Sequence, residues 1–328
     1  MTVLVTGGAG YIGSHTVAEL RRQGREVVVL DSLEFGHRAA VLDAPLVVGD
    51  ISDARLVHDT VAEYGVDAVV HFAAYKAAGE SMERPERYFS NNVAGTNALL
   101  HALQQAGVSR CVFSSSCAVY GTPSELPVAE DHPLGPDSPY GESKRMVEQM
   151  LGWYDTCHDL RSVSLRYFNA AGASADNRIG EDWTVTLNLV PLVLKAALGL
   201  VPQISVYGTD YPTADGTAIR DYVHVDDLAD AHVRALDHLE GGGSTTAVNL
   251  GTGEGSSVRQ VIDIARRVSG VDIPVVETDR RLGDPVVVYG DNRRAAEVLG
   301  WKPTRDLEEV VASAWQWHST HPEGYGED

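Results

Sequence analysis

The chain of 328 residues carries 46 acidic and 26 basic side chains, a formal charge of −20 that repels nucleic acid and anionic membrane surfaces. Its length suffices for one large or two medium cores. Its three cysteines (Cys111, Cys117, Cys157) are too few and odd in number for a disulfide framework, and no Cys or His pair at ligand spacing is backed by a second, so a reducing compartment and no metal are expected.

The amino terminus, MTVLVTGG, has no basic n-region and only a short apolar stretch before its glycines, so no signal peptide is expected. The longest apolar segment, LNLVPLVLKAALGLVP (187–202), is broken by Lys195 and two prolines and is too interrupted to span a bilayer. A cytoplasmic protein that binds neither membrane nor nucleic acid is the expectation. Near-continuous apolar runs then alternate with helical patterns: VLVT (3–6), EVVVLD (26–31), PLVVGD (45–50), DAVVHFAA (67–74), RCVFSSS (110–116) and RSVSLRYFN (161–169). Strands apolar on both faces and separated by helices predict an α/β fold, a Rossmann-type doubly wound parallel sheet with ligands beyond the C-terminal strand ends. From about residue 169 the alternation weakens and Gly, Pro and Asp become frequent. The expected division is a dinucleotide-binding domain over 1–168 and a smaller α/β substrate domain over 169–328, with a strand near 247–251 returning to the large sheet. The tail HPEGYGED is expected to fray.

In VLVTGGAGYIGSH the first strand leads into Gly8-x-Gly10-x-x-Gly13 and a helical pattern ending near Gly24. Glycines let the backbone turn sharply and approach a pyrophosphate, while the helix N-terminus offers amides and positive dipole. Asp31 closes the second strand 18 residues after Gly13, where a carboxylate accepts from a ribose 2′-hydroxyl and repels a 2′-phosphate, favouring NAD over NADP. Asp50 suits the adenine or is a solvated strand-end carboxylate. Lys76 suits the cofactor's ribose and phosphates or is a surface lysine.

SPYGESK (138–144) places Tyr140 and Lys144 one helical turn apart, with Ser138 and Pro139 as N-cap and first helical residue. A free phenol titrates near 10, so Tyr140 becomes a base near neutrality only where cations favour its anion. Lys144 and a positively charged nicotinamide are the expected sources. Ser116, last of the three serines in SSSCAVYG (114–121), is expected to share a substrate hydroxyl's proton with Tyr140.

Taken together, TGGAGYIGSHT, SSSCAVYG, SPYGESK, RYFNAAGA and DYPTADGTAIRDYVHVDDLADAH resemble the UDP-glucose (UDP-galactose) 4-epimerases of the extended short-chain dehydrogenase/reductase superfamily, from residue 2 to the HPEGY ending. The resemblance implies that Tyr140 removes the sugar 4-hydroxyl proton while NAD takes hydride from C4, that the 4-keto sugar turns over in the site, and that hydride returns to its other face. It implies Ser116, Tyr140 and Lys144 as catalytic residues. The cofactor would lie on Gly7, Gly10, Tyr11, Ile12, Gly13, Asp31, Asp50, Ile51, Phe72, Ala73, Ala74, Lys76, Asn91, Ser114, Tyr140, Lys144 and Tyr167. The UDP-sugar would meet Ser116, Tyr140, Asn169, Asn188, Leu189, Val206, Tyr207, Arg220, Tyr222, Arg281, Asp284 and Val288, the two arginines holding its diphosphate. A homodimer through helices over 83–106 and 140–156 is also implied.

Two sites in the sequence bear on the nearer alternatives. Related dehydratases and decarboxylases carry carboxylates just after the catalytic serine or threonine, where this chain has Cys117 and Ala118, so its keto sugar can only be reduced back. Val288 falls where glucose-restricted relatives have tyrosine and N-acetyl-accepting ones a small residue; a one-residue shift would put Tyr289 there instead. Other UDP-sugars, namely an N-acetylhexosamine, a glucuronate or a pentose, are the alternatives within the reaction. A non-catalytic NAD(H) sensor is the alternative outside it. His224, in the strand-like IRDYVHV, and Trp301, Trp315 and Trp317 are expected to be structural.

Overall fold

The computed structural model describes residues 1–183, 186, 188–281 and 284–326. Its first half runs β1 (Thr2–Thr6), α1 (Tyr11–Arg22), β2 (Glu26–Asp31), β3 (Leu46–Val48), α2 (Ala54–Tyr64), β4 (Val66–His71), α3 (Ala78–Glu83), α4 (Pro85–Tyr88), α5 (Thr96–Gln105), β5 (Arg110–Ser114), α6 (Pro139–His158) and β6 (Arg161–Tyr167). The second half adds β7 (Asn169–Ala171), α7 (Leu189–Ala197), β8 (Ile204–Tyr207), β9 (Ile219–Arg220), β10 (Tyr222–His224), α8 (Val225–Glu240), β11 (Thr246–Leu250), β12 (Ser256–Ser257), α9 (Val258–Ser269), β13 (Val275–Thr278), β14 (Val287–Val288), α10 (Arg293–Leu299) and α11 (Leu307–Thr320).

Seven strands form one parallel sheet in the order β11-β6-β5-β4-β1-β2-β3, a Rossmann-type doubly wound arrangement. Alternate residues of each strand feed opposite layers. Val3, Val5, Val27 and Val29 pack with Val17, Leu20, Leu228 and Leu236 from α1 and α8. Leu4, Val28, Leu30 and Val69 pack with Val57, Leu99, Leu103 and Val147 from α2, α5 and α6. Both faces are buried, which is why these strands read as unbroken apolar runs. Each fully buried valine or leucine contributes about 1.5–3 kcal/mol, so the C-terminal strand edge, at Thr6, Asp31, His71, Ser114 and Tyr167, is a stiff platform. β11 joins this sheet beside β6, with Ala247 opposite Ser164.

A separate core gathers α7, α9, α11, β8 and β10. Val190, Val193 and Leu194 of α7 pack there with Val206, Tyr222, Ile262 and Val310. The segment IRDYVHV is not one strand. β9 pairs with β12 and β14, β10 pairs with β7, and the chain switches between them at Asp221. Asp221 is fully buried and accepts from Thr252 N and Oγ1 and from Gly290 N, so hydrogen bonds offset the break in the ladder.

The helical region expected over 83–106 comprises α4, a π-helical stretch at Phe89–Gly95 and α5. The tail does not fray as far as it is described. Tyr325 Oη donates to Gly180 O at 2.9 Å and accepts from Gly180 N at 3.0 Å, and its ring stacks on His37. The expectation for Glu327 and Asp328 lies outside the described residues.

Candidate active site

The glycine loop is built by exclusion. Gly7 has φ +71°, and a Cβ there would stand 2.6 Å from Ala73 N. A Cβ on Gly13 would stand 2.2 Å from Gly7 O, so α1 lies directly on the loop. Gly10 caps α1 without a side chain, and the first intrahelical amide is Ser14 N, bonded to Gly10 O at 2.9 Å. The amides of Tyr11, Ile12 and Gly13 therefore precede the helical ladder and face the open end, where an anion is favoured. Tyr11 Oη donates to Gly172 O at 2.6 Å.

Asp31 is buried and accepts from Ala9 N and Leu33 N, each at 2.9 Å, which ties the glycine loop to the turn after β2. Burial raises its pKa, and the two backbone bonds oppose that rise. Each oxygen keeps a second lone pair. Asp50 Oδ1 accepts from Ser52 N at 2.7 Å, and Ile51 is buried in the layer formed by α2 and α5. Phe72 N and Ala73 N both bond Thr6 O, which brings the loop after β4 against β1; Ala74 follows in the same loop. The Phe72 ring lies 4.6 Å from that of His232. Lys76 is exposed, its Nζ 3.9 Å from Glu181 Oε1. Asn91 Nδ2 donates to Asn92 Oδ1. Asn92, which sequence reasoning missed, is the buried member, bonding Tyr75 N, Tyr75 O and Ser143 Oγ. Its signal is the π-helical turn, a distortion often found at functional sites. A loop closed to any Cβ, three open amides and a buried acid at the end of β2 fit a dinucleotide.

The three serines after Phe113 take three partners. Ser114 Oγ pairs with Tyr167 Oη at 2.5 Å, and Ser115 Oγ donates to Glu148 Oε1 at 2.6 Å. Ser116 caps the short 3₁₀ turn Cys117–Tyr120 by accepting from Ala118 N at 3.2 Å. Its own proton is left to donate, and its hydroxyl lies beside the Tyr140 phenol, whose anion it favours. Gly141 makes this approach possible, because a Cβ there would meet Ala118 O at 2.4 Å. Ser138 caps α6, its Oγ accepting from Gly141 N, with Pro139 in the first turn, as expected from SPYG.

Burial pushes Tyr140 up to about 12, with Ser116 opposing. Lys144 is not among the groups that shift it. The amine turns to the strand: Nζ donates to Ser114 O at 2.7 Å and stands 4.8 Å from the centre of the Phe113 ring. Burial lowers Lys144 to about 7, and the charge of Glu148, one helical turn on, resists that fall. Glu148 also grips Arg166 through Nε (2.9 Å) and Nη2 (2.5 Å), and Arg166 Nη1 reaches Tyr120 Oη at 2.8 Å. That network had no sequence signal, since its members are far apart in the chain. Burial pushes the Cys117 thiol up to about 12, so it stays neutral.

The residues expected to hold a sugar nucleotide fall into two groups. Asn169 bonds Asp221 O through N and Nδ2, both at 3.0 Å, beside Arg220, whose Nη1 is held by Ile219 O at 2.8 Å. Val288 lies opposite Arg220 and packs in the cluster of Cys117, Val119, Tyr120, Val128 and Phe168, whereas Tyr289 turns toward Gly255. In the second group the Arg281 guanidinium covers the Tyr207 ring at 4.1 Å, and Asp284 N bonds Arg281 O at 3.3 Å. Val206 and Tyr222 send their side chains into the C-terminal core, so Val206 has only backbone to offer a ligand. Asn188 caps α7 ahead of Leu189 and gives Nδ2 to Glu181 Oε1 at 3.1 Å. His224 is structural: Nδ1 accepts from Asp226 N, and Nε2 meets Ser313 Oγ. Trp301 and Trp317 are buried, donating to Asp227 O and Glu181 O, and Trp315 packs on the C-terminal core.

A Rossmann-type sheet with a glycine loop after β1 and Ser116, Tyr140 and Lys144 gathered at the end of β5 defines the class of the short-chain dehydrogenases/reductases. A family model described as the NAD dependent epimerase/dehydratase family matches residues 3–251, and the chain belongs to that family. It is 46% identical to a UDP-glucose 4-epimerase of Lacticaseibacillus casei over 100% of this chain and 99% of that one. Among solved structures it is similar to UDP-glucose 4-epimerase from Brucella ovis in complex with NAD (46% identity, TM-score 0.94, 96% and 97% of the two chains covered). It is similar also to the enzyme of Bifidobacterium longum in complex with NAD+ and UDP (40%, TM-score 0.90, 99% and 100% covered).

Proposed function

We propose that the chain is an isomerase that interconverts UDP-glucose and UDP-galactose by oxidation at C4, rotation of the 4-keto sugar and re-reduction, with NAD as its cofactor. The observation that carries this is the placing of Ser116, at the end of β5, against the first turn of the helix that bears Tyr140 and Lys144, where a Cβ on Gly141 would meet Ala118 O at 2.4 Å. Tyr140 receives the 4-hydroxyl proton and gives it back, and Ser116, bound to Ala118 N as acceptor, orients that hydroxyl by donation. Held by the glycine loop and Asp31, NAD would supply a hydride acceptor for C4 and positive charge beside the phenol. The uncharged Cys117 and Ala118 supply no acid or base for elimination. Arg220 and Arg281 hold the diphosphate with Tyr222 nearby, Val206 and Tyr207 lie near the uracil, Asp284 takes the uridine ribose, and Asn169, Asn188 and Leu189 lie near the diphosphate and uridine. Gly7, Gly10 to Gly13, Asp31, Asp50, Ile51, Phe72 to Ala74, Lys76, Asn91, Ser114 and Tyr167 line the cofactor, with residues 1–168 as its domain and 169–328 as that of the substrate.

Purified protein denatured without added cofactor should release NAD(H), and native protein should convert UDP-galactose to UDP-glucose. Absence of both refutes the reading. A homodimer over the α4–α6 layer is supported by Phe89 and Trp153, 37% and 69% exposed. A cytoplasmic location is supported by three free cysteines, and among the described residues no helix is long and apolar enough to cross a membrane. Acceptance of UDP-N-acetylglucosamine is a second reading, favoured by Val288, rather than Tyr289, packing on the cluster of Val119, Tyr120, Val128 and Phe168 that Cys117 also joins.

A further inference from the structure

Four consecutive residues, Gly180 to Trp183, are each held from one side. Gly180 is bonded through N and O to Tyr325 Oη, and a Cβ on it would penetrate the Trp317 ring at 2.4 Å. Glu181 O accepts from Trp317 Nε1 at 3.1 Å. Asp182 pairs with His37 at 3.1 Å, and His37 stacks on Tyr325. Trp183 Nε1 donates to Pro322 O at 3.1 Å, its ring 4.0 Å from that of His318. The C-terminal helix and tail thus fix this segment's backbone.

The other side presents one buried carboxylate. Glu181 Oε1 accepts from Thr186 Oγ1 at 2.9 Å and from Asn188 Nδ2 at 3.1 Å, and it lies 3.9 Å from Lys76 Nζ. Burial raises its pKa, and the Lys76 charge is the largest effect opposing that rise. A carboxylate taking the Nδ2 end of Asn188 leaves Oδ1 as the acceptor for an incoming group. Its charge also draws the exposed Lys76 ammonium toward this segment.

We propose that Glu181 is a positioning residue for both ligands, orienting Asn188 toward the sugar nucleotide and Lys76 toward the dinucleotide, and that the tail, through Tyr325, sets where Glu181 stands. This rests on the reading of the site as one for NAD and a UDP-sugar. Glu181→Ala removes the acceptor for Asn188. KM for UDP-galactose and Kd for UDP should rise about tenfold or more, the loss expected of hydrogen bonds to a charged group, while kcat changes less than about threefold. Glu181→Gln keeps an acceptor but no charge. Its KM should stay near wild type while the fraction of NAD retained through gel filtration falls about two- to fivefold. Tyr325→Phe keeps the ring on His37 and loses both Gly180 bonds; it should show the alanine pattern in weaker form, and it decides the matter if Glu181→Ala does not fold. The proposal is overturned if KM is unchanged in Glu181→Ala and Tyr325→Phe, or if Gln and Ala variants lose kcat and affinity equally, as a general loss of folded protein would cause. Wild-type protein that binds no UDP by calorimetry would refute the site reading itself, a result separate from either of these.

Discussion

Lys144 Nζ donates to the carbonyl oxygen of Ser114 at 2.7 Å, so the lysine of the Tyr-x-x-x-Lys pair is moored to the end of β5 rather than to the phenol one turn before it. Its charge acts on His71, whose pKa it helps to lower, and is not among the causes that shift Tyr140. Because the same mooring holds the serine segment, the lysine serves geometry first.

Tyr140→Phe removes the proposed proton acceptor and keeps the ring, whose neighbour Tyr88 packs edge-on at 6.4 Å. Turnover should fall by about 10²–10⁴, the usual worth of a general acid–base group, with UDP and NAD still bound. Ser116→Ala should lose less, since Tyr140 keeps a direct route to the proton. Steady-state rates with a binding assay check both; a loss under about tenfold for Tyr140→Phe removes it from the mechanism.

Lys144 titrates at about 7 in the fold against an ordinary 10.5, because burial penalises its charge. Between those values the unfolded chain binds more protons than the folded one, so this group makes stability rise with pH across that window. Lys144→Met lacks the dependence. Its stability relative to wild type should be most favourable below about pH 7 and decline as pH approaches 10.5. Urea midpoints across the window measure this, and a difference that does not change with pH contradicts it.

Val288→Tyr should abolish turnover of UDP-N-acetylglucosamine and spare UDP-glucose, because a phenol in place of valine adds bulk where residue 288 packs on the cluster of Val119, Tyr120, Val128 and Phe168. Rates on the two sugars in wild type and variant decide it. Loss of both substrates, or of neither, places the gate elsewhere.

The fold was legible wherever strand and helix periods were uninterrupted. The glycine loop announced itself because Gly7 and Gly13 are demanded by close backbone contacts that no side chain could share. The i, i+4 spacing put Tyr140 and Lys144 on one face, but spacing does not say which way a four-carbon amine extends, and it went to Ser114. Similarly, SSS showed three hydroxyls without their partners: Glu148 lies 33 residues from Ser115, and Tyr167 lies 53 from Ser114. IRDYVHV alternates like a strand, yet the buried Asp221 bonds Thr252 and Gly290, 31 and 69 residues away, and those bonds divide it. Gly and Pro in HPEGY signalled a loose end because its anchor, Gly180, is 145 residues from Tyr325. Tertiary partners, rather than local preference, decided each of these.

The most direct test uses UDP-galactose carrying deuterium at C4, incubated with purified protein without added cofactor. Hydride that leaves C4 and returns within one closed site, with Tyr140 exchanging only the hydroxyl proton, predicts UDP-glucose that retains the deuterium at C4. UDP-glucose formed with hydrogen from solvent at C4, or no UDP-glucose at all from protein shown to contain NAD, would contradict it.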